Sequence, residues 1–230
     1  ATSVKLSIAG KASVEHLAVA MPKLLELLKV EELAVRNAAL LMVYSAVHHM
    51  PQLLAGCMKD TIVPVLHEIA GLKMERKVDL GPFTHTVDDA LPLRKASMSI
   101  FATCLESLPG SLDIPAFMPV LAKALADVED IQLQAHHIII AMSQRQPTFL
   151  VPAIDTFVDP LEKTMHKKKG TKTGTELERL NEWIKSALRA AFILSKVEGV
   201  TNSKKFADFY GRTRANVKFQ AMLGMIEEER

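Results

Sequence analysis

The segment "AVRNAALL" (residues 34–41) returns in altered form three times along the chain, as "PLRKASMS" (92–99), "QLQAHHII" (132–139) and "WIKSALRA" (183–190). Each sets a basic or amide side chain after an apolar residue and follows it with small residues, near the start of a helical pattern. With Arg36, Arg94, Gln134 and Lys185 taken as equivalent positions, the spacings are 58, 40 and 51 residues.

The middle spacing fits the roughly 40 to 47 residue period of HEAT or armadillo helix pairs, and the longer two fit it if each carries an insertion. Both insertions are visible. One is the stretch 74–90; the other is "HKKKGTKTG" (166–174), whose Gly, Thr and Lys content marks a basic, solvated loop. A second amphipathic segment precedes each core, at 14–28, 57–72, 114–127 and 149–165. In the third of these, Phe117, Val120, Leu121 and Leu125 recur at the spacing of one helix face. One such pair cannot bury its apolar face alone, whereas stacked neighbours can. The sequence therefore predicts an all-α fold: a right-handed α-solenoid of about four HEAT-like helix pairs over 1–230, with helices at 203–229 capping it. "MIEEER" at its end is polar enough to face solvent.

Composition narrows function by exclusion. The chain has 230 residues and is 49% hydrophobic, with 28 Lys and Arg against 26 Asp and Glu. A net charge of +2 gives no global field to hold a nucleic acid or an anionic membrane. No stretch reaches the roughly 18 apolar residues of a membrane span. Cys57 and Cys104 lie in apolar helical segments without CxxC spacing and read as buried free thiols, which points to the cytoplasm or nucleus. The start "ATSVKLSIAG" lacks an initiator Met and points to a piece of a longer or processed protein. No nucleophile elbow, P-loop, GxGxxG or paired catalytic carboxylates appear, so the chain reads as a binding protein with no catalytic residues and no cofactor.

The first insertion departs from helical periodicity. "KVDLGPFTHTVDD" (77–89) alternates like a β-hairpin around Gly81-Pro82. That turn sets Leu80 opposite Phe83, Val78 opposite His85 and Arg76 opposite Val87, with Val78, Leu80, Phe83, His85 and Val87 on one face. Lys77, Asp79, Thr84, Thr86 and Asp88 take the other. An isolated two-stranded ribbon is marginal in water, so it leans on the helices or is completed by a partner. Residues Lys77 to Asp88, Gly81 and Pro82 included, are the candidate partner-binding site.

The string "KVDLGPFTHTVDDALPLRKA", with "LDIPAFMPVLAKALADVEDIQLQ" and "DTFVDPLEKTM" after it, resembles the C-terminal part of the cullin-associated and neddylation-dissociated family, also described as TATA-binding-protein-interacting proteins. The likeness is strongest from Val78 to Met165, looser beyond, and generic over 1–70. It implies a HEAT-repeat superhelix wrapped around a cullin scaffold. It also implies that the C-terminal repeats and their hairpin occupy the cullin's N-terminal end, where the substrate-receptor adaptor docks. The partner implied is thus a cullin, bound in competition with that adaptor, together with family N-terminal repeats on a separate or missing segment. Thr84, Ala90 and Pro92 stand where the family pattern has Lys, Gly and Asp, and losing the Gly removes easy access to positive φ at the hairpin's exit.

Other candidates read as structural. His48-His49 and His136-His137 are adjacent pairs pointing about 100° apart on a helix, with no partner at i+4, so no metal site is expected. Lys167, Lys168, Lys169 and Lys172 lack interleaved aromatics and read as a solvated loop. Arg36, Arg94 and Lys185 read as rungs pairing with the next repeat. The competing functional class, a HEAT scaffold of nuclear transport or phosphatase assembly, shares the repeat physics but not the hairpin.

Overall fold

The computed structural model describes residues 14–81, 83–171 and 173–229, and the chain divides into two compact units, 1–113 and 114–230. In the first unit, α1 (Val14–Glu26) runs on through a 3-10 turn and is followed by α2 (Leu33–His49). A π-turn at Met58–Ile62 leads into α3 (Val63–Ala70), and two antiparallel strands, β1 (Glu75–Leu80) and β2 (Phe83–Asp88), intervene before α4 (Leu91–Ser107). In the second unit α5 (Ile114–Ala124) and α6 (Glu129–Arg145) form one pair, and α7 (Ile154–Met165) and α8 (Gly174–Leu194) the next. Helices α9 (Lys204–Ala215) and α10 (Val217–Glu228) close that unit. The result is the expected all-α solenoid architecture of stacked helix pairs with a hairpin insertion.

First and second helices differ in kind. The second helices are central: α2 packs against α4, and α6 against α8. Accordingly α4 buries most of its circumference, from Leu93 through Met98 and Ile100 to Leu105, and leaves only a narrow stripe through Lys95 and Glu106 exposed. A helix covered on most sides needs only a narrow polar face, which explains why its sequence shows weak amphipathicity. The first helices are one-sided. In α5, Phe117, Leu121 and Ala124 are buried while Ala116 and Lys123 are exposed. Three of the first helices carry an internal proline, Pro22, Pro119 and Pro160. Each withdraws an N–H from the helix ladder, a cost tolerated where packing holds the helix in place.

A repeated polar device joins the helices of a pair. Arg36, fourth residue of α2, donates from Nε to the Leu28 carbonyl at 3.0 Å. Arg94, fourth in α4, donates from Nη1 to the Leu72 carbonyl at 2.8 Å. Gln132, fourth in α6, donates from Nε2 to the Asp127 carbonyl at 2.9 Å. Each satisfies a backbone carbonyl in the turn that follows the preceding first helix. The repeat position in the third pair is therefore Gln132 and not Gln134, and these side chains reach back within their own pair. Of the expected rungs to the next repeat, Arg36 has one to Glu68 at 4.0 Å, while Lys185 reaches Glu229 at 2.8 Å.

Gln132 does more than cap. Its Oε1 accepts hydrogen bonds from Thr164 Oγ1 at 2.8 Å and from Trp183 Nε1 at 2.9 Å, so one amide joins α6, α7 and α8. The Lys167 ammonium sits over the Trp183 ring, 4.1 Å from its centroid. His136 is fully buried, and its Nδ1 shares a hydrogen bond with Ser186 Oγ at 3.1 Å. Burial, reinforced by neighbouring His137, pulls its pKa from 6.5 to about 3. Of the two thiols, Cys104 is fully buried and its pKa is pushed up to about 12 by that burial, whereas Cys57 is only half-buried, because it sits in the turn before α3. Among the described residues no helix is long and apolar enough to cross a membrane.

Leu121 is completely buried in α5, so Leu121→Ala should cost about 2–5 kcal/mol in urea unfolding through lost methyls and the cavity left behind. An unchanged unfolding midpoint would show that the site collapses without loss. A second expectation concerns pH. The folded protein holds His136 neutral while the unfolded chain takes up a proton below pH 6.5, so stability should fall as pH drops from about 6.5 towards 3, with a slope of up to about 1.4 kcal/mol per pH unit from this group. His136→Gln should flatten that part of the profile; an identical pH dependence in wild type and variant would refute neutral burial as its source.

Candidate interaction surface

Four residues separate the end of α3 from the hairpin and two separate the hairpin from α4, so its root is set by two helices of the first unit. Its register is Glu75↔Asp88, Arg76↔Val87, Lys77↔Thr86, Val78↔His85, Asp79↔Thr84 and Leu80↔Phe83, the register that the alternation implies. Gly81 adopts φ +68°, the left-handed backbone for which glycine is suited at a tight turn. Pro82 lies outside the described residues.

Lys77, Asp79, Thr84, His85 and Thr86 are exposed along the arms, and Val78 is half-buried. Thr84 Oγ1 donates across the strands to Asp79 Oδ1 at 2.9 Å, which supports the register from the polar face. Near the root, Met74 and Val87 stay 45% and 38% exposed, leaving apolar surface beside polar arms. At Ala90 the backbone is helical, φ −87° and ψ −6°. The exit therefore makes no use of the positive φ that a glycine here would give: the turn falls at Asp89 and Ala90, and Ala90 already serves as the helix cap. Pro92 falls at the start of α4, where its missing N–H costs no helix bond.

Asp88 stands apart from the exposed Lys77, Asp79, Thr84, His85 and Thr86 because its carboxylate turns inward. Its Oδ1 accepts hydrogen bonds from the backbone N–H of Met74 at 3.0 Å and of Ala90 at 3.1 Å. Its Oδ2 meets Arg94 Nη1 at 2.5 Å. Arg94 is only 1% exposed and bonds Leu72 with the same nitrogen, so a single buried guanidinium ties α4 to the end of α3 and to the hairpin's last strand. Arg76 Nε donates to Asp89 Oδ2 at 2.5 Å, and the Asp89 N–H donates to the Met74 carbonyl at 3.0 Å. Partial burial works against the Asp88 charge, but the Met74 and Ala90 N–H groups and Arg94 outweigh it and hold its carboxyl below the usual carboxylate range. Sequence alternation placed Asp88 on the outward polar face; its contacts to Arg94 and to the Met74 N–H reverse that.

The basic loop has a different character. Lys168 and Lys169 are exposed, and Lys172 lies outside the described residues. Among the described residues no group of three His, Cys, Asp or Glu side chains could hold a metal ion. His48 and His49 pack against each other edge to face.

Residues 46–214 match the family described as TATA-binding protein interacting (TIP20). The chain is 34% identical over 206 residues to cullin-associated NEDD8-dissociated protein 1 of Arabidopsis thaliana, covering 86% of this chain and 17% of that protein. It is 32% identical over 234 residues to the protein of the same name in Dictyostelium discoideum, covering 99% of this chain and 19% of the relative. It is also 26% identical over 220 residues to cullin-associated NEDD8-dissociated protein 1, C-terminal part, of Emericella nidulans, 91% of this chain and 20% of that protein. The chain thus spans about a fifth or less of these relatives' lengths. It belongs to the cullin-associated NEDD8-dissociated family and corresponds to its C-terminal part. The likeness also reaches further towards the N-terminus than the hairpin and its flanks alone imply.

The root geometry divides the hairpin into separable parts. Replacing residues 77–86 by a Gly/Ser linker should leave the melting temperature nearly unchanged, because the exposed arms support none of the core and loop closure depends weakly on length. Asp88→Ala should instead cost about 3–5 kcal/mol by leaving a buried guanidinium without its charge partner. Equal melting temperatures for the two variants would contradict this division. The depressed Asp88 pKa gives a sign: its contribution is present above the ordinary aspartate pKa near 4 and is lost as pH falls through its lower folded value.

Proposed function

We propose that this member of the family is a protein-binding regulator of cullin-RING ubiquitin ligases. It binds the cullin's N-terminal end with its hairpin and competes there with the substrate-receptor adaptor. The observation that carries the reading is a rigidly rooted ribbon with exposed arms, in a chain whose relatives are named cullin-associated. Stacked helix pairs present extended surfaces, which suits recognition by shape. Two-stranded ribbons are marginal alone, and a partner that covers the arms would complete this one.

The chain works with family N-terminal repeats supplied by a further segment or a separate chain, in the cytoplasm or nucleus. Sensitivity to the NEDD8 modification lies with those other repeats. A ligand discriminates two states of its partner only where its contacts differ between them. The present chain therefore binds modified and unmodified cullin alike. Its affinity is modest, since separating one clamp into two pieces forfeits an effective concentration that linkage can turn into about a 10²–10⁴-fold gain.

The test is a titration of modified and unmodified cullin with the 230-residue chain, followed by competition with the adaptor. Equal affinities, displacement by the adaptor and a sharp loss when residues 77–86 become a Gly/Ser linker are expected. Full-strength binding by the linker form would move recognition to the helix ridges, and a several-fold preference for unmodified cullin would end the division of labour. Capture of transport factors or phosphatase subunits in place of cullins would favour a general scaffold.

A further inference from the structure

We propose that Arg94 and Asp88 are positioning residues for partner binding: they touch no partner, yet they fix the direction in which the hairpin projects and so set the affinity of its exposed arms. This rests on the reading that the hairpin carries recognition.

The ribbon has little packing of its own. Its arms offer little packing to the unit, since Lys77, Asp79, Thr84, His85 and Thr86 are exposed and Val78 is only half-buried. The ladder between β1 and β2 holds the strands to each other but says nothing about their angle to the helices. That angle is fixed at the root, where polar bonds converge within a few residues. Asp88 gathers the N–H groups of Met74, on the entering side, and Ala90, on the leaving side. Arg94 then fastens this carboxylate to α4 and, through the Leu72 carbonyl, to the end of α3. Arg76 and Asp89 add a second clasp across the ribbon's base.

The clasp nearest solvent differs from the buried one. Arg76 is 59% exposed, and a pair of that kind contributes little. The Arg94–Asp88 pair is shielded, and its guanidinium belongs to the central helix of the unit, so it transmits the rigidity of the core to the ribbon. If only a fraction of molecules hold the ribbon in the competent direction, the apparent dissociation constant rises by the inverse of that fraction. Releasing the pair so that about a tenth remain competent would weaken binding about tenfold, with every arm residue intact.

The experiment uses the full chain with Asp88→Asn and Arg94→Gln, both of which keep hydrogen-bonding capacity, measured well below their melting temperatures. Binding to cullin is followed alongside amide hydrogen exchange of residues 77–86 and of the helices. Each substitution should weaken binding about tenfold or more and speed exchange in the ribbon by a similar factor, while exchange in α2 and α6 is unchanged. Arg94→Gln placed in the form with 77–86 replaced by linker should add no further loss. Weaker binding with unchanged ribbon exchange would make Asp88 a direct contact and overturn the proposal. So would faster exchange with unchanged affinity, or an equal loss from Arg94→Gln in the linker form. If the wild-type chain itself fails to bind cullin, the functional reading falls, and unchanged ribbon exchange in both variants would then also overturn the positioning role.

Discussion

A helix that ends inside a protein leaves carbonyl groups without partners, and the helix pairs of this chain are organised around that constraint. The first helix of a pair is short and one-sided, and its last carbonyls point towards the start of the central helix that follows. In three of the pairs a long polar side chain at the fourth position of that central helix reaches back to a carbonyl in the turn that follows the first helix. Arg36 does so at Leu28, Arg94 at Leu72 and Gln132 at Asp127. A cation there also meets the negative end of the first helix's dipole, which favours arginine where the site is near a carboxylate. Glutamine serves where the remaining partners are a hydroxyl and an indole.

The hairpin is an elaboration of this device. At the second pair the connection between first and central helix is lengthened by a ribbon, and the arginine that caps the first helix gains a second task. It meets the carboxylate of Asp88 and so anchors the insertion with the same buried group that anchors the pair. A buried guanidinium is costly to desolvate and pays its way through several simultaneous bonds. Here the geometry supplies them: one nitrogen serves both the Leu72 carbonyl and Asp88, and the carboxylate draws two backbone N–H groups to its other oxygen.

The second unit places its polar investment elsewhere. Gln132, Thr164 and Trp183 form a buried network among α6, α7 and α8, and the Lys167 side chain closes over the indole. At the C-terminal end, Glu229 accepts from both Lys185 and Arg189, which holds the end of α10 against α8. Ser203 caps α9 through the Phe206 N–H and donates to Asp155 at the start of α7. The Gln132–Trp183, Lys185–Glu229, Arg189–Glu229 and Ser203–Asp155 contacts join residues about 40 to 50 positions apart, one repeat of the helix-pair architecture.

Periodicity made the one-sided first helices and the insertion legible, because a helix face recurs every three or four residues and a ribbon face every two, while the recurring core motif marked the central helices. The register of β1 and β2 was equally legible, since Gly81 fixes the turn and the alternation follows on both arms. What the chain's order could not reveal was which polar residues face inward. Gln134 and Gln132 are two apart, and both fit a pattern of amide among apolar residues; only the place of the Asp127 carbonyl selects Gln132. Asp88 alternates with the solvent-facing side chains of β2, and a local pattern assigns it to solvent. Its inward turn is decided by Arg94, six residues away in sequence but across the root of the hairpin in space, and by the Met74 N–H fourteen residues before it. Charge pairing in a shielded place outweighs alternation there, because an unpaired buried guanidinium costs far more than one residue's departure from the strand pattern.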